Sequence, residues 1–437
     1  MSRIWIPRGE LFPLVQVLIW HQVLFSGGDS MIRFLHTADW QVGMKARHVA
    51  PVAARVREAR LETARRLMEI TRERRLDFII IAGDVFEDNQ VDNKLAHQVV
   101  QILSLAAPVP VYILPGNHDP LTPDAVYERR VFREGLAPNI HLLRTSQPVT
   151  VLPGVVLLPA PNRAKNSPED PTERMAPAPG GAINIGVAHG SLRIEGHYQY
   201  DDFPIPLEAA ERRGLDYLAL GHWHSFFQYG DRTFYPGTPE PTGFEERDSG
   251  TAALVTIEGY GARPRVEKIK TGTLEWETWK QEVHGDPREA VRALKLRVEG
   301  LDTPGQTLLR LALYGRDTSG DQSWLEELRD WLEARLLYLD LDTTRLATQP
   351  LAPKLQNRAR SQPFLRAAIT DLAALARSLG QPLEEVEDVA GPATSLDAEL
   401  IDRILRAGIK PGDVREALGV LAGVVETHGN MSRAKKW

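Results

Sequence analysis

Short apolar runs alternate along this chain with longer stretches in which apolar residues recur every three or four positions. Residues 32–35, 77–82 (Asp-Phe-Ile-Ile-Ile-Ala), 109–114, 183–188 and 215–220 are nearly continuous apolar runs, the pattern of strands covered on both faces. Residues 53–75 and 92–105 have helical periodicity. Strands alternating with helices predict an α/β sheet whose functional groups gather beyond the strands' carboxyl ends. Residues 161–181, dense in Pro, Asn and charge, predict a surface loop. Residues 252–257 predict an edge strand, after which the composition shifts near Val266. Strands predicted at 276–284, 294–298, 308–313 and 337–341, with helices at 287–294 and 322–336, make a smaller α/β domain. Residues 364–379, 397–405 and 414–425 have a helical pattern, with an acidic stretch at 382–388 and a basic end at Arg433, Lys435 and Lys436.

Five segments end in side chains that favour metals: Asp39-Trp40-Gln41, Gly83-Asp84, Gly116-Asn117-His118-Asp119, His189-Gly190 and Gly221-His222-Trp223-His224. Four of them follow an apolar run, which places them at strand ends. Each residue taken singly reads as a surface side chain; their joint order points to a metal centre. Gly83 permits a tight turn before Asp84, a carboxylate able to bridge two ions. Gly116 permits close backbone approach beside Asn117, a neutral oxygen donor. His222 and His224 are two apart, so on an extended segment they point the same way.

Composition narrows the chemistry. The 437 residues are too many for one ordinary domain, and 43% hydrophobic with 25% charged residues is globular. No cysteine is present, which excludes disulfides and thiolate metal sites and fits a reducing cytoplasm. Any metal must be held by Asp, Asn, His or Gln, which favours manganese, iron or magnesium over structural zinc. The net charge of -6 does not advertise a nucleic-acid binder, although a bound cation can invert a site's sign. Residues 11–25 are apolar but interrupted by Pro13, Gln16, His21 and Gln22, and fall short of the about 20 residues a bilayer span needs. The preferred reading takes Met31 as the natural start, with a secretory signal and an amphipathic arm as the alternatives.

The motifs His36-Thr37-Ala38-Asp39-Trp40, Ala82-Gly83-Asp84-Val85-Phe86, Leu114-Pro115-Gly116-Asn117-His118-Asp119, Ala188-His189-Gly190 and Leu220-Gly221-His222-Trp223-His224 resemble those of the calcineurin-like metallophosphoesterases. More narrowly, with Tyr235-Pro236-Gly237-Thr238, they resemble the SbcD-type nuclease subunits of DNA repair. The resemblance covers residues 31–258 strongly and the remainder only in domain order. It implies a four-layer α/β/β/α catalytic domain with a smaller α/β capping domain and carboxyl-terminal helices. The expected organisation is a non-native or disordered extension at 1–30, a nuclease domain at 31–265, a capping domain at 266–350 and a helical partner-binding region at 351–437.

The resemblance further implies two divalent ions, Mn²⁺ before Mg²⁺ or Fe²⁺, that together activate water and stabilise a departing oxygen. Asp39, Gln41 and His224 would serve one ion, Asn117, His189 and His222 the other, with Asp84 bridging. His118, positioned by Asp119, would protonate the leaving 3′ oxygen. Gln41 departs from the family, which usually has His there; an amide oxygen is a weaker donor. His36 belongs to the strand, and His48 substitutes only if its loop folds back. Glu87 stands where some relatives carry a further His.

The expected substrate is DNA, held through its phosphates without base reading, with Arg47, Arg129, Arg130 and Arg133 near the ligand face. The resemblance also implies homodimerisation, no membrane association, and docking of the helices at 364–379 or 414–425 on an SbcC-type coiled-coil ATPase. Two alternatives stand beside the DNA exonuclease and endonuclease reading. One is a phosphoesterase for a small phosphodiester or phosphomonoester. The other is a scaffold whose catalysis Gln41 has weakened.

Overall fold

The computed structural model describes residues 31–317, 323–347, 358–383, 386, 389–391, 395–410, 412–414, 417–418 and 421. The expectation for 1–30 and the basic end at 433–436 lie outside the described residues, as do much of 382–388 and 414–425. The chain divides into two compact units, 1–275 and 276–437.

The first unit is built on two six-stranded sheets. One has β1 (Ile32–Thr37), β2 (Phe78–Ala82), β3 (Val111–Leu114), β4 (Ile140–Leu142), β11 (Thr251–Ile257) and β12 (Arg265–Lys270), in the order β12-β11-β1-β2-β3-β4. The other has β5 (Val149–Leu152), β6 (Val155–Ala160), β7 (Ile183–His189), β8 (Tyr217–Gly221), β9 (Phe226–Tyr229) and β10 (Thr233–Pro236), in the order β5-β6-β7-β8-β10-β9. Within them β1 to β4 run parallel, as do β6, β7 and β8. Residues 265–270, where the composition shift suggested a new domain, pair antiparallel with β11 and close the edge of the first sheet.

The continuous apolar runs are explained by three packed interfaces. Leu35, Ile79, Ile81 and Ile113 face α1 (Ala53–Glu73) and α2 (Asn93–Ser104), which contribute Ala64, Leu67, Val99 and Leu103. The alternate residues Phe34, Phe78, Ile80 and Leu114 meet Ile185, Val187, Tyr217 and Phe234 of the other sheet. Phe34 and Phe78 stack with centroids 4.8 Å apart, at matched register across β1 and β2. Full burial of each ring stabilises the inter-sheet layer by about 1.5–3 kcal/mol. On the outer face of the second sheet, Leu158, Leu218 and Leu220 pack with Met175, Ala209 and Ala210, which belong to or adjoin single helical turns. The four-layer α/β/β/α order that the resemblance implies is therefore present. Helix α2 starts where Asp92 accepts a hydrogen bond from Leu95 N at 2.7 Å, a side-chain cap.

The second unit contains a three-stranded sheet, β13 (Glu275–Gly285, beginning at the boundary), β14 (Thr307–Asp317) and β15 (Tyr338–Ala347), in that order, with β14 and β15 parallel. Helices α3 (Arg288–Glu299) and α4 (Ser323–Glu333) pack with it through Leu294, Val298, Leu328 and Leu332. Residues 294–298 are helical, not the predicted strand. Leu-Lys-Leu-Arg-Val alternates with period two, but the buried positions Ala290, Leu294 and Val298 are four apart, and Leu296 is 60% exposed. In α5 (Pro363–Ser378) the apolar stripe expected to meet a partner is covered within this unit: Leu365, Ile369, Ala373 and Ala376 are buried in a helical cluster. The next helix is α6 (Ala398–Arg406).

Candidate metal centre

Asp39, Asp84, Asn117, His189 and His222 lie at or just beyond the carboxyl ends of β1, β2, β3, β7 and β8. The parallel order of those strands brings them to one end of the two sheets. One atom each from Asp39, Asp84 and His189 lies within 4.8 Å of the others, and all three residues are buried. His189 Nε2 is 3.4 Å from Asp84 Oδ2, 4.0 Å from Asp39 Oδ1 and 2.9 Å from Asn117 Oδ1. Its Nδ1 donates to Ala82 O at 2.8 Å, which fixes the ring with Nε2 toward the carboxylates.

The turns that deliver these groups are strained. Asp39, Gln41, Asp84 and His222 have φ of 55°, 49°, 55° and 107°, values that side chains seldom adopt. The first loop is held on the second by Asp39 N to Gly83 O, Gln41 N to Asp84 O and Val42 N to Val85 O, at 3.0, 3.0 and 2.9 Å. Asp39 receives the His222 N–H at 3.1 and 3.0 Å on its two oxygens. Asp84 Oδ1 receives His118 N at 2.9 Å. Glycines are required for this closeness: a Cβ on Gly83 would lie 2.0 Å from His189 Nδ1, and one on Gly116 2.1 Å from Asp84 Oδ1.

Two carboxylates that sequence reasoning did not single out aim the last two histidines. Asp202 Oδ2 lies 2.9 Å from His222 Nε2 and receives Ser191 Oγ at 2.6 Å, leaving His222 Nδ1 3.2 Å from Asn117 Oδ1. Glu246 Oε1 lies 2.5 Å from His224 Nδ1, and its other oxygen takes Thr242 N at 2.7 Å. His222 is not on extended backbone, so the two rings are set by different carboxylates rather than by a shared strand direction. The two acids lie on loops 20 and 22 residues in sequence from the histidines they aim, with no local pattern to reveal them.

The buried carboxylates favour positive charge beside them. Burial opposes ionisation of Asp84, but His189 and His118 outweigh it and hold the carboxyl below its usual range. Burial raises Asp39. Burial would lower His189, yet Asp84 and Asp39 push it up to about 10. Burial also opposes charge on His224, and the Glu246 pairing outweighs it and raises the ring. Two buried carboxylates, three inward imidazoles and an amide oxygen form a hard oxygen and nitrogen donor set suited to divalent cations.

Gln41 supplies a further test of fit. Its Nε2 donates to Asp84 Oδ2 at 2.9 Å, while its Oε1, in a residue 3% exposed, has no hydrogen-bond partner. A buried oxygen without a donor is costly, and a cation beside Asp84 would satisfy it. Asp39, Asp84 and His189 could thus hold a metal ion, with Gln41, Asn117, His222 and His224 placed around them.

The expected pairing of Asp119 with His118 is corrected. Asp119 turns away, accepting Gly116 N at 2.8 Å, Phe86 N at 3.0 Å and Tyr127 Oη at 2.5 Å, and braces the turn that carries Asn117. The His118 ring is instead held by the Glu87 carbonyl, 2.9 Å from Nδ1. Buried His36 ties β1 to β8, with Nδ1 2.9 Å from Tyr217 Oη and Nε2 3.1 Å from Leu220 O. His48 is exposed in a short 3-10 helix beyond the first loop. Arg129 is engaged by the carbonyls of Val91 and Asn89, and Arg130 pairs with Glu134 at 2.7 Å.

A family model described as calcineurin-like phosphoesterase matches residues 32–226. Over 207 residues the chain is 25% identical to an uncharacterized metallophosphoesterase, YhaO of Bacillus subtilis, covering 44% of this chain and 48% of that one. Over 238 residues it is 29% identical to the DNA double-strand break repair protein Mre11 of Methanopyrus kandleri, covering 49% of this chain and 50% of that one. The chain spans about half the length of the curated relatives it matches. Among solved structures, TT1561 of Thermus thermophilus aligns with TM-score 0.36 and 12% identity, over 55% of this chain and all (100%) of that one. YfkN of Bacillus subtilis, a calcineurin-like phosphoesterase, aligns with TM-score 0.33 and 11% identity, over 55% of this chain and 91% of that one. The matched segment contains Asp39, Gln41, Asp84, Asn117, His118, His189, His222 and His224, whereas Tyr235-Pro236-Gly237-Thr238 and Glu246 lie outside it. Residues 32–226 of this chain are a calcineurin-like metallophosphoesterase domain.

Proposed function

We propose that this protein is a two-metal phosphodiesterase acting on DNA, the nuclease subunit of an SbcCD-like repair complex. The observation that carries the proposal is the convergence of Asp39, Asp84 and His189 with the unpartnered oxygen of Gln41. The similarity to an Mre11 repair protein supports DNA over a small phosphoester as substrate. Asp39, Gln41, Asp84 and His224 would hold one ion, and Asp84, Asn117, His189 and His222 the other. Mn²⁺ suits the mixed carboxylate, amide and imidazole set, with Mg²⁺ and Fe²⁺ as alternatives. When bound, such a pair neutralises phosphate charge and supplies an activated water at neutral pH.

The chain's own groups then do the rest. His189 and His222 are locked by Ala82 O and Asp202, so their inward nitrogens need no reorganisation. The Glu87 carbonyl fixes His118 through Nδ1, leaving Nε2 to deliver a proton to the leaving 3′ oxygen. Asp119 acts on the fold of the turn and not on this proton. A coiled-coil ATPase of SbcC type, a homodimeric state and a cytoplasmic location complete the proposal. No helix among the described residues is long and apolar enough to cross a membrane.

End-labelled single- and double-stranded DNA, incubated with purified full-length protein and Mn²⁺, tests the assignment. Metal-dependent cleavage that Asp84→Ala abolishes is expected. A folded protein that hydrolyses bis(p-nitrophenyl) phosphate but leaves DNA intact would shift the assignment to a small-substrate phosphoesterase.

A further inference from the structure

Arg60 lies in the middle of α1, is 3% exposed, and belongs to none of the metal motifs. Its three hydrogen bonds all go to uncharged acceptors. Nη1 donates to Trp40 O at 2.9 Å, Nη2 to Pro241 O at 2.9 Å, and Nε to Met44 Sδ at 2.8 Å. A buried cation without a contacting carboxylate is unfavourable for stability alone, which argues for another use. Burial pushes this guanidinium down to about 10, with Glu240, Glu246 and Glu87 acting in the other direction from nearby.

The two carbonyls identify that use. Trp40 stands between Asp39 and Gln41, the pair held at φ of 55° and 49°. Pro241 precedes Thr242, whose N–H and hydroxyl hold Glu246, the acid that aims His224. One planar fork thus joins the loop that presents Asp39 and Gln41 to the loop that presents the partner of His224. Neighbouring bonds reinforce the join. Thr63, one turn further along α1, donates to Glu240 Oε2 at 2.5 Å, and Thr238 Oγ1 donates to Asp39 O at 2.8 Å. His189 and His222 are aimed by other groups, the Ala82 carbonyl and Asp202, and Asn117 Oδ1 lies against both rings at 2.9 and 3.2 Å.

We propose that Arg60 is a positioning residue for one of the two pockets, the one formed by Asp39, Gln41 and His224, and leaves the other independent. The inference rests on the two-metal reading of the site but not on DNA as substrate.

Full-length Arg60→Met and Arg60→Lys, compared with the unaltered chain by Mn²⁺ calorimetry and by spin resonance of the bound ions, test it. One Mn²⁺ should weaken by about 10–100-fold in both variants while the other changes less than about twofold. Lysine keeps the charge but cannot reach two carbonyls as a fork. In the metal-free variants the amides of Gln41 and Val42 should exchange hydrogen faster, with β2 and β3 unchanged. Two unaltered Mn²⁺ affinities, or equal weakening of both with protection lost across the domain, would overturn the proposal. If Arg60→Met does not fold, Arg60→Lys decides by the same criteria. Two normally bound Mn²⁺ ions on a protein inert toward DNA would remove the nuclease reading and leave this one intact.

Discussion

Gln41 donates its amide to Asp84 Oδ2 at 2.9 Å while its own Oε1 lies buried without a partner. The residue that departs from the usual histidine therefore still touches the carboxylate expected to bridge two ions. Replacing a neutral amide donor with an imidazole should strengthen that pocket. Gln41→His is expected to tighten one Mn²⁺ by about tenfold in calorimetry. Unchanged affinity would place Gln41 outside the ligand set.

Asp202 and Glu246 each fix one histidine, and each should matter to one pocket. Asp202→Asn and Glu246→Gln are expected to weaken different Mn²⁺ ions by about 10–100-fold. Titration of the two variants side by side checks this; loss of the same ion in both would contradict the separate roles.

Gly116 has no room for a methyl group, since a Cβ would lie 2.1 Å from Asp84 Oδ1 and 2.5 Å from its backbone N. Gly116→Ala should lower stability by about 1–3 kcal/mol and disturb the Asp84 carboxylate. Thermal unfolding with and without Mn²⁺ reads both effects, and wild-type values for the two would show that the turn yields easily.

His118 and Asp119 should separate cleanly. His118→Gln is expected to reduce turnover by about 10²–10⁴-fold with Mn²⁺ affinity unchanged. Asp119→Asn sets a side-chain N–H either against the Gly116 N–H or against the Phe86 N–H and the Tyr127 hydroxyl, so its first effect should be a stability loss of about 1–3 kcal/mol. Steady-state kinetics together with melting curves distinguish them. A purely kinetic effect of Asp119→Asn would restore it to the chemistry.

His36 predicts an acid limit to stability. Burial pushes its ring down to about 3, with the Leu220 carbonyl opposing weakly, whereas an unfolded histidine titrates near 6.5. Between those values the unfolded chain binds a proton that the folded chain does not, so stability is lost as pH falls from 6.5 toward 3. The contribution by pH 4.5 is about 3 kcal/mol, at about 1.4 kcal/mol per pH unit. Urea unfolding of the unaltered chain and of His36→Gln at pH 7 and pH 4.5 checks it; identical pH slopes would contradict the assignment.

The parts of this site that were legible in the sequence are those imposed by covalent neighbourhood. A strand buried on both faces leaves a continuous apolar run, and the first polar residues after it must emerge at its end, so Asp39, Asp84 and Asn117 could be placed. The four-layer arrangement was implied by the family resemblance that the motifs carry, whereas the alternation of strands and helices by itself implied only an α/β sheet. Asp202, Glu246 and Arg60 could not be read, because each acts across a loop or helix remote from the group it orients. Asp119 misled because adjacency to His118 suggested contact, whereas backbone amides and Tyr127 turn its carboxylate inward. Residues 294–298 misled because their alternation is local, while burial follows the four-residue spacing of a helix.

The most direct test of a two-metal phosphodiesterase centre counts bound Mn²⁺ and measures bis(p-nitrophenyl) phosphate hydrolysis on the same full-length sample, with Asp84→Asn beside it. The expected result is two ions per chain and hydrolysis that rises with occupancy, both lost or sharply reduced in Asp84→Asn. A folded protein that binds no more than one ion, or that hydrolyses equally well without Asp84, would contradict it.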